Sequence, residues 1–154
     1  MTLWIDADSC PRQVRDLVCR AGDRLKIPVR FVANRKIPFP ESPLCTMTLT
    51  ASHQDAADDY IVENVGSGDM VITRDIPLAK RLVDAGIRVI NDRGIVYSAE
   101  NINERLSIRN LMLEMRQNGL IPEKTSQYGK KELQGFANAL DREITRMRKE
   151  SASA

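Results

Sequence analysis

The chain has 154 residues, 42% of them apolar and 29% charged, with a formal net charge of +2 at pH 7. That length suits one domain; the apolar content argues against a disordered chain, and no segment approaches the ~20 apolar residues of a transmembrane helix. The charge and a pI near 8.5 announce no dedicated DNA-binding stripe, though nucleic acid remains open as a partner.

Residues 2 to 6 form a short apolar run, Thr2-Leu3-Trp4-Ile5, that ends on Asp6. The carboxylates Asp6 and Asp8 stand where the apolar core of a signal peptide would lie, so a cytoplasmic protein is expected. Three cysteines, Cys10, Cys19 and Cys45, without a Cys-x-x-Cys pair, indicate reduced, buried thiols. Ser9 and Pro11 suit the start of a helix that carries Val14, Leu17, Val18 and Ala21 and stops near Gly22. A second strand follows over 28–33, and a third around 44–49 after a proline-bearing loop.

Ser52 and Asp55 match a capping box opening a helix through Asp58, Asp59 and Ile61 to Gly66. A fourth strand over 70–73 leads to Asp75, Pro77 begins the next helix, and a fifth strand covers 87–90. Strands alternating with helices of ~10 residues predict an α/β three-layer sandwich: a five-stranded, mainly parallel sheet in the order 3-2-1-4-5, with helices on both faces. From about Ser98 the pattern is helical, one helix reaching Asn118 and another running from Lys130 to Lys149. The stripe Leu133, Phe136, Ala137, Leu140, Ile144 and Met147 reads as core, as does the pair Met112 and Met115. Residues 1–150 are expected as one domain and 151–154 as a frayed tail.

In open α/β sheets, ligands bind beyond the carboxyl ends of the strands. Asp6, Asp8 and Asp75 fall there, and Asp55, Asp58 and Asp59 lie in the first turns of the helix after the third strand. Converging carboxylates repel unless a cation lies between them, and an all-oxygen set favours Mg²⁺ or Mn²⁺ over zinc. The single histidine, His53, is read as exposed rather than as a ligand. Helix capping or the positive helix end accounts for Asp8, Asp55 or Asp59 taken singly, but less readily for Asp58, which sits over Ile61, Val62 and Val65 on a face expected to be partly buried. Asp6 and Asp75, at the ends of apolar strands, have no such ready explanation.

Two rival chemistries fail on spacing. Asp6-x-Asp8 resembles the nucleophile motif of haloacid-dehalogenase-type phosphatases, but their Gly-Asp motif should follow its strand, whereas Gly68-Asp69 precedes Met70-Val71-Ile72-Thr73. A cysteine phosphatase would need arginine six positions after Cys10, and Asp16 stands there.

The segments Ile5-Asp6-Ala7-Asp8-Ser9-Cys10-Pro11, Asp55-Ala56-Ala57-Asp58-Asp59-Tyr60-Ile61 and Gly68-Asp69-Met70-Val71-Ile72-Thr73-Arg74-Asp75-Ile76-Pro77-Leu78-Ala79 closely resemble the YaiI/YqxD family of bacterial proteins. The likeness continues through Arg93-Gly94, Tyr97, Asn101-Ile102, Arg109 and 136–141; it departs over 125–130. That family looks like a branch of the PIN-like nuclease fold. The resemblance implies a metal held by Asp6, Asp58 and Asp75, with Asp8 and Asp55 adjoining, in a divalent-metal-dependent nuclease favouring single-stranded RNA. Arg12, Arg35, Lys36, Arg74 and Arg93 are then expected to grip phosphates. The alternative is a protein that binds a nucleotide or RNA through the metal without cleaving it.

Overall fold

A computed structural model of the chain describes residues 1–53, 55–123 and 127–153. Its strands are β1 (Leu3–Asp6), β2 (Val29–Ala33), β3 (Cys45–Leu49), β4 (Met70–Ile72), β5 (Arg88–Ile90) and β6 (Val96–Tyr97). They form one sheet in the order β3-β2-β1-β4-β5-β6, parallel except for β6, which runs antiparallel to β5. The expected order of the five parallel strands is present, with β1 inside the sheet. The sixth strand is an addition: with two residues it is too short to show a period in sequence.

All four residues of β1 are buried, as a strand covered on both faces requires. Successive side chains point to opposite faces, so Leu3 and Ile5 join one hydrophobic cluster and Trp4 the other. The first cluster includes Val14 and Val18 of α1 (Arg12–Leu25) and Phe136 and Leu140 of α5 (Lys130–Ser153). The second includes Ile61 of α2 (Ala56–Asn64), Leu78 and Leu82 of α3 (Ile76–Asp84), and Ile102 at the start of α4 (Ile102–Gln117). The result is three layers, with the two C-terminal helices on opposite faces.

Several local expectations are corrected. Gly22 does not end α1, which continues to Leu25 and closes on Lys26 at φ 58°. Gly22 instead permits close approach to β2, because a Cβ there would stand 2.5 Å from Val29 Cγ2. No capping box opens α2: its N-cap is Asp55 at φ 67°, whose side chain makes no capping bond. The tail expected to fray continues α5 through Ser153, while Ala154 lies outside the described residues. Met112 is 40% exposed rather than core, and only Ile102 of α4 is buried. The divergent stretch 125–130 has Thr125 and Ser126 outside the described residues; Tyr128 donates to the Asp92 carbonyl at 2.6 Å. Among the described residues no helix is long and apolar enough to cross a membrane.

Candidate metal centre

Because β1 and β4 are parallel neighbours, their carboxyl ends share one edge, and the chain leaves both strands through acidic residues. Asp6 is the last residue of β1 and is 4% exposed. A carboxylate buried this deeply needs hydrogen bonds, and its Oδ2 accepts from the Thr73 hydroxyl at 2.8 Å and from the Ser9 hydroxyl at 3.1 Å. Ser9, expected as a helix cap, thus serves the carboxylate instead. Burial pushes the Asp6 carboxyl up, the two hydroxyls pull it back, and the charges of Asp75 and Asp8 push it up again.

Asp75 is the N-cap of α3: its Oδ1 accepts the Leu78 N–H at 3.0 Å. This capping role was not anticipated from its position after an apolar strand. Its own N–H donates to Thr73 Oγ1 at 3.0 Å, so Thr73 links the two acids.

Asp58 comes from the first turn of α2. Burial, and then the charges of Asp75, Asp6 and Asp55, push its carboxyl up to about 7, with Arg81 acting in the opposite sense. Asp6, Asp55, Asp58 and Asp75 therefore share one electrostatic neighbourhood supplied by β1, α2 and the start of α3. Asp8 stands at its margin, its Oδ2 accepting from the Asn34 N–H at 3.1 Å and its Oδ1 3.8 Å from Arg35. Asp59 turns away to pair with Arg81 at 2.9 Å.

The donors are all oxygen, which suits a hard divalent cation. Among the described residues, however, no three His, Cys, Asp or Glu side chains close tightly enough to hold an ion. The acids converge without forming a finished coordination shell. Burial, and after it the charges of Asp75, Asp6 and Asp55, raise the Asp58 carboxyl, and a cation between the acids would relieve the repulsive part.

The five basic candidates scatter. Arg12 is exposed at the start of α1, and Arg35 is exposed beside Asp8. Lys36 borders an apolar hollow with Ile37, Phe39 and Met47. Arg93 lies over the Tyr128 ring at 5.7 Å and 3.6 Å from Glu132. Arg74 is engaged by Asp92, whose Oδ2 accepts from both Nε and Nη2.

Asp92 itself escaped the sequence reading. It follows β5 and is 2% exposed, and its Oδ1 has no hydrogen-bond partner among the described residues. The rule that singled out Asp6 and Asp75, applied to the fifth strand, would have found it. Asp69 has a structural role at the opposite end of the strands. It accepts from the Thr2 N–H at 2.8 Å, the Trp4 indole at 3.0 Å and the Gly66 N–H at 2.8 Å. Cys10 is buried, which pushes its thiol up and disfavours the thiolate that a nucleophile needs.

The model of a family described as uncharacterised, the YaiI/YqxD family, matches residues 4–146. A UPF0178 protein of Treponema denticola is 55% identical over 141 residues, 92% of this chain and 90% of its own. Another, from Treponema pallidum, is 55% identical over 96% of this chain and 83% of its own. A third, from Citrifermentans bemidjiense, is 48% identical over 99% of both chains. No solved structure is a significant match.

Proposed function

Since this chain belongs to the YaiI/YqxD family, and those relatives' names specify no reaction, we propose a function from the acidic edge. The protein is a divalent-metal-dependent nuclease that hydrolyses phosphodiester bonds, with single-stranded RNA as the favoured substrate. The supporting observation is the convergence of Asp6, Asp58 and Asp75, each from a different element, on one edge of a parallel sheet.

Asp6, Asp58 and Asp75 would hold Mg²⁺ or Mn²⁺, with Asp8 and Asp55 reaching it directly or through water. When bound, the ion supplies positive charge to the phosphoryl oxygens and lowers the pKa of a water. Thr73 and Ser9 fix the orientation of the Asp6 carboxylate. The Leu78 N–H does the same for Asp75, leaving its second oxygen for the cation.

A non-catalytic, metal-dependent nucleotide- or RNA-binding protein, which would hold the ion on the same acids without turnover, is the second reading. The test is cleavage of a labelled single-stranded oligoribonucleotide with Mn²⁺ by wild type and Asp6→Asn from identical preparations, with metal-dependent melting shifts alongside. Cleavage by wild type alone supports the nuclease. Equal residual cleavage means a contaminant, and a melting shift without cleavage supports the binding protein.

A further inference from the structure

Past Ile102 no residue of α4 is buried. Ile108, Leu111 and Met112 are 48%, 55% and 40% exposed. Between this helix and the acidic edge lies a groove of about 540 Å³ that reaches Ser9 and Asp75 at one side and Arg105, Arg109 and Arg116 at the other. These arginines are spaced i, i+4 and i+11 and so share one face, over roughly 16 Å at 1.5 Å rise per residue. Among the described residues none of the three has an ion-pair partner, and Arg109 donates only to neutral Asn110. Arg105 lies over the Tyr97 ring at 5.9 Å, its Nε buried without a hydrogen-bond partner among the described residues. Glu104 and Glu114 fall on a different side of the helix by the same spacing.

We propose that this groove is the track for a single-stranded nucleic acid, whose phosphates are held by Arg105, Arg109 and Arg116 and whose path runs toward Asp75. The proposal deepens the nuclease reading and rests on it only for the chemistry at the end of the track. A row of unpaired guanidinium groups fits a regularly spaced polyanion. The apolar lining, Ile76 and Pro77 opposite Ile108 and Met112, favours a single strand, which offers base faces, over a duplex, which buries them. A second copy packed antiparallel on α4 about a two-fold axis would set each arginine row against its counterpart, so charge favours the polyanion.

The test uses the full chain and a fluorescein-labelled 12-nucleotide oligouridylate, read by anisotropy in EDTA so that neither metal nor cleavage intervenes. The triple variant Arg105→Ala/Arg109→Ala/Arg116→Ala should bind at least tenfold more weakly, and its salt-dependence slope should fall by about 2 in magnitude, given ~0.7 per phosphate contact on single strands. The triple lysine variant should recover much of both. Arg20→Ala/Arg24→Ala on α1 should match wild type. Wild-type affinity in the triple alanine variant, or no binding by wild type, overturns the proposal. So does self-association abolished by Met112→Glu in a chain that binds no oligonucleotide, which would assign the face to a second copy. Loss of binding in the triple alanine variant, when wild type shows no metal-dependent cleavage, upholds the track while the nuclease reading falls. Cleavage that the triple variant retains at unchanged KM does the reverse.

Discussion

The Thr73 hydroxyl donates to Asp6 Oδ2 at 2.8 Å while its oxygen accepts the Asp75 N–H at 3.0 Å. One side chain therefore joins the exits of β1 and β4. Thr73→Val keeps the shape and removes both bonds, leaving a buried carboxylate with Ser9 as its remaining side-chain donor among the described residues. The expected cost is about 1–3 kcal/mol in urea unfolding at pH 7. Thr73→Ser should recover most of it, and a Thr73→Val midpoint equal to wild type would show that the bond contributes nothing.

The Asp58 carboxyl lies at about 7 in the folded protein against 3.8 as its ordinary value. Between those limits the folded state binds more protons than the unfolded chain, so this group's contribution to stability falls as pH rises through the window. Asp58 is partly solvated, and screening keeps the effect modest. Melting curves in metal-free buffer should show Asp58→Asn with a flatter decline from pH 4 to 7 and a Tm at pH 8 at or above wild type. Parallel curves for the two proteins would show that neither burial nor repulsion raises the Asp58 carboxyl.

Added Mn²⁺ or Mg²⁺ should raise the Tm of wild type, by the equivalent of about 2.7 kcal/mol at a hundred times Kd. Asp6→Asn keeps the side-chain shape without the charge, so its metal-dependent shift should shrink sharply at the same concentrations. An undiminished shift in this variant would locate the ion away from Asp6.

Asp69 serves the amino ends of β1 and β4 rather than the acidic edge. Asp69→Ala leaves the donors of Thr2, Trp4 and Gly66 unpaired and should cost roughly 1–3 kcal/mol. Metal-dependent turnover per folded molecule should not change. A folded variant that loses turnover would bring back the phosphatase-type role that the position of Asp69 before its strand argues against.

The acids at strand exits were legible because an apolar run ending in aspartate is a local pattern, and parallel strands send such ends to one edge. What those carboxylates and cations already hold was not legible. Asp6 takes a hydroxyl from 67 residues away, and Arg74 is engaged by Asp92 from 18 residues away. Asp75 is the exception: its capping bond to Leu78 is local, and the Asp-x-Pro beginning of the helix could have announced it.

The sequence by itself determined the alternation of strand and helix, the order of the parallel strands and the edge on which the acids gather, since each follows from local periodicity and the handedness of the crossover. Only the tertiary structure decided which oxygens remain uncommitted, that Asp92 is drawn to Arg74, and that the apolar residues of α4 lie open beside three arginines without an ion-pair partner among the described residues. A helical period reveals an apolar face but carries no information on whether another element covers it, because that depends on packing between segments distant in the chain.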